Sequence, residues 1–214
     1  MRLYEFILDI LFPLDPIVQR LETMTAAEIT AAAKSLSRDR EIPKSIILFE
    51  YQDPLIRTSI AEIKFRGNRK IATLVGEVLR DNLIDELSEL KTFENFSDPL
   101  LVPVPMTKRS FRTRGWNQCH LILGPIMNEV ENMGIEVSLD ALKKIRETAD
   151  QVGKDRKDRL VNLDGCFEAD ESMVSGRNII VFDDVVTTGA TWEETKRALR
   201  KAGARKVILL AVAH

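Results

Sequence analysis

Two patterns of hydrophobic and polar residues alternate along most of the chain: short continuous apolar runs and longer segments with helical spacing. The apolar runs predict strands over residues 46–51, 100–104, 178–182 and 206–213. Helical spacing predicts helices over residues 54–65, 70–90, 117–133 and 192–201. The last two strands are nearly continuous runs of valine, isoleucine and leucine, which is typical of a parallel sheet covered on both faces. The chain is therefore predicted to form a doubly wound α/β fold with a mostly parallel sheet.

The first 44 residues follow a different pattern and are predicted to form a small helical appendage to a domain spanning residues 45–214. Apolar residues at helical spacing over residues 1–12 predict a short amphipathic helix that Pro13 ends. Thr25 and Glu28 have the spacing of a capping box and predict a second helix over residues 26–36. The polar residues 37–44 are interpreted as a linker to the domain.

Composition and charge exclude several classes of protein. The 214 residues include 31 Lys plus Arg against 33 Asp plus Glu, so a globally basic nucleic-acid binder is excluded and any anion site must be local. Cys119 and Cys166 are far apart and lack metal-ligand spacing, which favours a reducing compartment. The longest apolar run is too short to span a membrane, and Glu5 and Asp9 interrupt the N-terminal one. We therefore expect a cytoplasmic protein without membrane insertion.

The segment over residues 178–191 is the most informative in the chain, because its apolar strand ends in two carboxylates, Asp183 and Asp184. Ligands of open parallel sheets bind at the carboxyl ends of the strands. The carboxylates suit a sugar diol, and the backbone N–H groups of the small residues that follow can surround a phosphate at a helix N-terminus. Those small residues are Thr187, Thr188, Gly189, Ala190 and Thr191. Together these features predict a ribose 5-phosphate site. The alternative is a solvated acidic strand end followed by a Thr191–Glu194 capping box.

Two further segments are locally basic. The first follows Val102-Pro-Val-Pro105 and is predicted to be a loop with four cations, Lys108, Arg109, Arg112 and Arg114. One guanidinium group can donate two parallel hydrogen bonds to pyrophosphate oxygens, so this loop is suited to a polyanion. A solvated basic loop or a nonspecific RNA contact is the alternative. The second basic segment covers residues 143–159, and a solvated surface loop explains it equally well.

The chain resembles the ComF family of phosphoribosyltransferase-like proteins over about residues 45–214. Six segments in order support the resemblance: Ile63-Lys-Phe-Arg-Gly67, Val102-Pro-Val-Pro105, residues 112–118, residues 146–151, residues 159–167 and residues 181–191. Members of this family usually have a four-cysteine zinc ribbon near the N-terminus. This chain has no cysteine before Cys119, so the ribbon is lacking and no zinc is expected.

The resemblance implies a type I phosphoribosyltransferase fold with three functional segments. These would be a phosphoribosyl pyrophosphate (PRPP) loop over residues 183–191, a pyrophosphate loop over residues 103–115 and a flexible hood over residues 146–159. The implied activity is binding of PRPP with Mg²⁺ and displacement of pyrophosphate from ribose C1. Asp183 and Asp184 would hold the ribose hydroxyls, directly or through Mg²⁺, while Arg146 and the cations of the first basic segment would receive the pyrophosphate.

Two alternatives to the phosphoribosyltransferase hypothesis assign the protein a non-enzymatic function. The first is a non-catalytic module of the DNA-uptake machinery that senses PRPP or a nucleotide, partners a helicase-like competence protein and contacts single-stranded DNA through the basic segments. The second is a structural adaptor with a degenerate site, which the complete 183–191 segment disfavours. A second copy of the chain, forming a homodimer, is a further expected partner. The sequence does not identify the acceptor of the phosphoribosyl group.

Overall fold

The computed structural model describes residues 15–37, 42, 44–146 and 165–214. Within these ranges, five parallel strands form one sheet in the order β1-β7-β6-β2-β3, and two short antiparallel strands, β4 and β5, pair separately. The strands are β1 (Ser45–Phe49), β2 (Leu100–Pro103), β3 (Glu136–Val137), β4 (Leu142–Lys144), β5 (Phe167–Ala169), β6 (Asn178–Val185) and β7 (Lys206–Ala213). The four predicted strands are confirmed.

The described helices occupy the connections between strands, with one pair preceding β1. They are α1 (Pro16–Leu21), α2 (Ala26–Ala32), α3 (Pro54–Ala61), α4 (Arg69–Glu94), α5 (Lys108–Arg114), α6 (Gln118–Leu123), α7 (Met127–Asn132), α8 (Glu171–Val174) and α9 (Ala190–Lys201). The helix predicted over residues 117–133 is divided, because a 3₁₀ turn at Gly124–Ile126 containing Pro125 separates α6 from α7. Proline lacks the N–H group that would continue the α-helical hydrogen bonding.

Side chains from alternate strand positions form a separate core on each face of the sheet. Leu101, Ile180 and Phe182 pack with the buried side of α4 on one face. Leu100 and Val181 pack with α9 on the other face. This alternation follows from the two-residue repeat of a strand, and it confirms the doubly wound α/β prediction.

Helices α1 and α2 belong to the segment predicted as an appendage. Val18, Leu21 and Ile29 from these helices are buried in the same core as α4. The predicted capping box at the start of α2 is present, since the Thr25 N–H group donates to Glu28 Oε2 at 2.7 Å and the Glu28 N–H group donates to Thr25 Oγ1 at 3.3 Å. The division of the chain at residue 44 stays a prediction, and the helix predicted over residues 1–12 lies outside the described residues.

Helix α4 lies against α6 with an unusually small separation at Gly76. A Cβ atom added at Gly76 would lie 2.5 Å from the Ile122 carbonyl oxygen, so only glycine permits this backbone approach. The contact fixes the position of α6, which begins beside the carboxyl ends of β2 and β6. In the described part of the chain, no helix combines the length and apolarity that crossing a membrane requires.

Candidate functional site

The last residues of β6 place two carboxylates side by side at the carboxyl edge of the sheet. Asp184 is 7% exposed and Asp183 is partly buried. The Asp184 N–H group donates to Asp183 Oδ1 at 3.0 Å, and Gln118 Nε2 donates to Asp184 Oδ1 at 3.3 Å. The sequence predicted this location, because β6 is central in the sheet and its end opens where ligands of this fold class bind.

The surroundings of the acidic pair favour the protonated form of one member. Burial raises the pKa of Asp183 well above its usual range, and the neighbouring charge of Asp184 raises it further. The positive charge of Lys64 opposes both effects. Cys119 lies directly behind the pair, with its Sγ within 4.8 Å of a carboxylate oxygen from each aspartate. Burial, followed by the two carboxylates, raises the pKa of the Cys119 thiol, so this group stays protonated near neutral pH.

Asp183 and Asp184 line an open cavity of about 430 Å³. The loop after β6 and the first residues of α9 contribute Thr187 and Thr191 to its wall. Other polar or aromatic side chains that line it are Tyr51, Lys64, Phe65, Thr107, Ser110, Arg114, Gln118, Lys144 and Phe167. The cavity therefore joins the acidic pair, the small-residue loop and several cations in one space.

The small-residue loop that the sequence predicts to bind phosphate leads into the N-terminus of α9. Gly189 has a φ of 75° and is the N-cap residue, and no side chain caps this end of the helix among the described residues. The backbone N–H groups of the first turn therefore donate to no capping side chain among the described residues and can donate to another group. The alternative capping box of Thr191 with Glu194 is wrong, because Gly189 is the N-cap residue and Thr191 already lies within α9. Glu194 instead accepts hydrogen bonds from the Gly165 N–H group at 2.6 Å and from Arg197.

The first basic segment is a helix, which corrects the prediction of a loop. Thr107 caps α5 by accepting a hydrogen bond from the Ser110 N–H group at 3.0 Å, and Gly115 ends the helix with a φ of 89°. Cations near the end of the helix also interact favourably with its dipole. The pattern of a cap residue followed eight positions later by glycine was visible in the sequence.

Helical geometry divides the four predicted cations among different surfaces. Ser110 and Arg114 are four residues apart, share one side of α5 and line the cavity of the acidic pair. Lys108 and Arg112 are also four residues apart and line a neighbouring cavity of about 310 Å³. Arg109 lines neither cavity. The structure therefore places Arg114 beside the acidic pair and does not place Lys108, Arg109 or Arg112 there.

Arg146 is at the edge of the described residues and lies away from the acidic pair. It lines a third cavity of about 520 Å³, and its Nε donates to the Gly165 carbonyl oxygen at 3.2 Å. The rest of the predicted hood, from residue 147 to residue 159, lies outside the described residues.

Several side chains in the main cavity were not predicted as site residues, among them Gln118, Lys64 and Lys144. Gln118 and Lys64 belong to segments that supported the family resemblance, and that is the only signal in the sequence that marked them. Lys144 was assigned to a basic surface segment, but it lines the main cavity from β4. Burial lowers the pKa of Lys144, and its Nζ lies 5.5 Å from the centre of the Phe167 ring.

Comparison with known proteins places the chain among phosphoribosyltransferase-like proteins. A family model described as the phosphoribosyl transferase domain matches residues 117–214. The chain is 30% identical over 162 residues to the DNA utilization protein YhgH of Escherichia coli strain K12, and the match covers 76% of this chain and 68% of that protein.

Two competence proteins are also similar. Competence protein F of Haemophilus influenzae is 27% identical over 185 residues, covering 84% of this chain and 76% of that protein. Competence protein ComFC of Bacillus subtilis is 26% identical over 156 residues, covering 73% of this chain and 58% of that protein. The phosphoribosyltransferase match includes β6, the acidic pair and the small-residue loop at residues 187–191. The chain therefore belongs to the ComF family of phosphoribosyltransferase-like proteins.

Proposed function

We propose that the protein binds PRPP with Mg²⁺ and transfers its phosphoribosyl group to an acceptor, releasing pyrophosphate from ribose C1. One observation supports this above all: the acidic pair, the small-residue loop and the side chains of Ser110 and Arg114 line the same cavity. PRPP has a 5-phosphate, a diol and a pyrophosphate on one ribose ring. Each of these groups has a chemically suitable partner in this one space.

The 5-phosphate is assigned to the loop at residues 187–191. Its oxygens would accept hydrogen bonds from the uncapped N–H groups at the start of α9, which also has a partial positive charge at that end. Asp183 and Asp184 would accept hydrogen bonds from the ribose hydroxyls. The reaction needs no protein nucleophile, so holding the ribose in place while the C1–O bond breaks is the main contribution of these residues.

The pyrophosphate is assigned to the cations near α5. Arg114 and Lys144 line the cavity and can stabilise the negative charge that develops on the leaving group. Arg114 is already oriented by its Nη1, which donates to Gln118 Oε1 at 2.8 Å. The other predicted pyrophosphate ligands stay in the proposal, although Lys108 and Arg112 line the neighbouring cavity and Arg146 lines the third cavity. Arg109 also stays in the proposal, although it lines none of the three cavities.

The chemistry of the acidic pair fits Mg²⁺. Hard oxygen donors such as the carboxylates of Asp183 and Asp184 are the ligands that Mg²⁺ prefers, and partial burial of both groups favours a compensating cation. The protonated thiol of Cys119 is a poor ligand for this hard ion. When bound, Mg²⁺ supplies positive charge beside the ribose hydroxyls and the pyrophosphate.

Titration calorimetry with PRPP tests the proposal directly. We expect the folded protein to bind PRPP in the presence of Mg²⁺ and to bind it at least tenfold more weakly in a chelator, because the metal offsets repulsion between pyrophosphate and the acidic pair. Absence of binding with saturating Mg²⁺, on protein shown to be folded by circular dichroism, would overturn the proposal.

A comparison of PRPP with ribose 5-phosphate separates the two anion sites. Thr187→Val should weaken the binding of both ligands several-fold, because Thr187 lines the cavity at the loop proposed to bind the shared 5-phosphate. Arg114→Ala should weaken PRPP binding about tenfold or more, which is the usual cost of losing one charged hydrogen bond. The affinity for ribose 5-phosphate should stay nearly unchanged. Equal losses for both ligands in Arg114→Ala would contradict the assignment of Arg114 to pyrophosphate.

A second candidate function is contact with single-stranded DNA in DNA uptake, together with a helicase-like partner. Phe111 is 50% exposed and Ile145 is 55% exposed, and both line cavities that also include Lys108 or Arg146. An exposed aromatic side chain among cations, such as Phe111 beside Lys108, is typical of single-stranded nucleic-acid surfaces, because bases stack on aromatic rings. The names of the relatives, which refer to competence and DNA utilization, agree with this role. Binding of an oligonucleotide that falls steeply with salt, without turnover of PRPP, would favour it over the transferase.

A further inference from the structure

The turn between α3 and α4 has an uncommon backbone geometry beside the main cavity. Residues Glu62–Arg66 form a π-helical turn that continues directly from α3 and ends at Gly67, which has a φ of 64°. A π-helical turn includes an extra residue relative to an α-helix, and such turns are frequent at functional sites. Two residues of this turn, Lys64 and Phe65, line the cavity that contains the acidic pair. The segment Ile63-Lys-Phe-Arg-Gly67 supported the family resemblance and has no role in the function proposed above.

The two cations of the π-helical turn have different surroundings. Arg66 is exposed and forms an ion pair with Glu62 at 3.1 Å, within the turn itself. Lys64 is half-buried, and it forms no ion pair within 4.0 Å with any residue in the described ranges. Its Nζ lies 5.4 Å from the centre of the Phe65 ring, and its charge acts on Asp183 without a direct ion pair. The ammonium group of Lys64 is therefore available to a ligand in the cavity.

Trp116 fixes the position of the π-helical turn. Its Nε1 donates to the Ile63 carbonyl oxygen at 2.9 Å. Its ring also packs against Gly67, where an added Cβ atom would lie 3.0 Å from the ring. Trp116 follows α5 by two residues, and Arg114 from that helix lines the same cavity as Lys64. These contacts hold Lys64 and Arg114 in a fixed relation to each other across the cavity wall.

From these contacts we propose that Lys64 is a substrate-binding residue whose ammonium group contacts an anionic oxygen of PRPP, and that Trp116 is the positioning residue that holds it there. The inference rests on the proposed function, since it names a further ligand of the same substrate. The charge of Lys64 acts on Asp183, but Lys64 forms no direct ion pair with either aspartate, so its N–H donors remain available to an anion bound in the cavity. A half-buried cation without an ion pair is instead suited to an incoming anion.

Calorimetry with PRPP and Mg²⁺ on matched variants tests the role of Lys64. Lys64→Met keeps the length of the side chain and removes its charge, and we expect at least tenfold weaker binding. Lys64→Arg restores the charge and should recover part of that loss. Arg66→Met is the control, because Arg66 lies on the same turn but does not line the cavity, and its affinity should stay within twofold of the parent.

The outcomes distinguish this inference from the function on which it rests. Binding by the parent and equally tight binding by Lys64→Met, with both proteins folded by circular dichroism, would overturn the role of Lys64 alone. Failure of the parent to bind PRPP would overturn both proposals. A similar loss in Arg66→Met and Lys64→Met would show a general effect on the turn and would also contradict the assignment.

A double-mutant cycle tests whether Trp116 acts through Lys64. Trp116→Phe removes the N–H donor and retains a ring against Gly67. We expect weaker PRPP binding when this change is made in the parent and little further loss when it is made in Lys64→Met, because the two residues would act as one unit. Equal losses in both backgrounds would contradict the positioning role.

Discussion

Replacing Gly76 with alanine is expected to destabilise the protein, although alanine favours helices over glycine by about 1 kcal/mol. The added methyl group would lie 2.5 Å from the Ile122 carbonyl oxygen and 3.3 Å from a side-chain carbon of Ile126. A backbone oxygen cannot rotate away as a flexible side chain can, so α4 and α6 must separate. Overpacking of this kind typically costs about 1–3 kcal/mol, and we expect a net loss of that size.

Thermal unfolding measures this effect. Each kcal/mol lost from the free energy of unfolding should lower the melting temperature by about 2–4 °C for a chain of this size. Ser88→Ala is the control. Ser88 is exposed on the same helix as Gly76, so its replacement creates no overpacking, and this variant should be neutral or slightly more stable because alanine has the higher helix propensity. Equal stability of Gly76→Ala and the parent would mean that α4 and α6 can separate without cost.

The expected loss of stability in Gly76→Ala illustrates which features of the fold the sequence could predict and which it could not. Apolar runs and helical spacing located the four main strands and most of the helices, because those patterns depend on local geometry. Nothing local distinguishes Gly76, which lies within a helix of 26 residues and whose propensity would favour alanine. Its importance depends on contact with Ile122, which is remote in the sequence.

The candidate site likewise contains residues that the sequence could predict and residues that it could not. The positions of Asp183, Asp184 and the small-residue loop were predictable, because they follow one strand directly and strand ends define the site in this fold class. The basic segment was predicted as a site but with the wrong geometry, since helix α5 directs Arg114 and Arg112 to different cavities. Lys64 and Lys144 enter the cavity from remote parts of the chain, so their location beside the acidic pair depends on tertiary structure.

Replacing Asp183 and Asp184 with asparagine is expected to abolish most PRPP binding while the fold survives. Asparagine keeps the shape of each side chain but removes the charge that organises the ribose hydroxyls and Mg²⁺. Each charged hydrogen bond lost costs about 1.5–3 kcal/mol, so the double variant should bind PRPP with Mg²⁺ at least tenfold more weakly by calorimetry. Asp85→Asn is a matched control, because Asp85 is exposed on α4 and does not line the cavity.

The difference in stability between Asp183→Asn and the parent should depend on pH with a definite sign. Burial and the charge of Asp184 raise the pKa of Asp183 in the folded protein. Between the ordinary carboxyl pKa and this raised value, the folded state holds a proton that the unfolded chain has lost, so parental stability falls as pH rises through that range. Asparagine removes this titration.

In metal-free buffer, Asp183→Asn should therefore melt at a higher temperature than the parent at neutral pH, and the difference should shrink at about pH 4 or below, where both parental states hold the proton. The acidic pair would then reduce the stability of the fold while it provides the binding site, as is common where ligand-binding groups are buried close together. Tight PRPP binding by the folded double variant would contradict the assignment of the ribose to this pair. A lower melting temperature for Asp183→Asn at neutral pH would instead show that the two charges stabilise the end of β6.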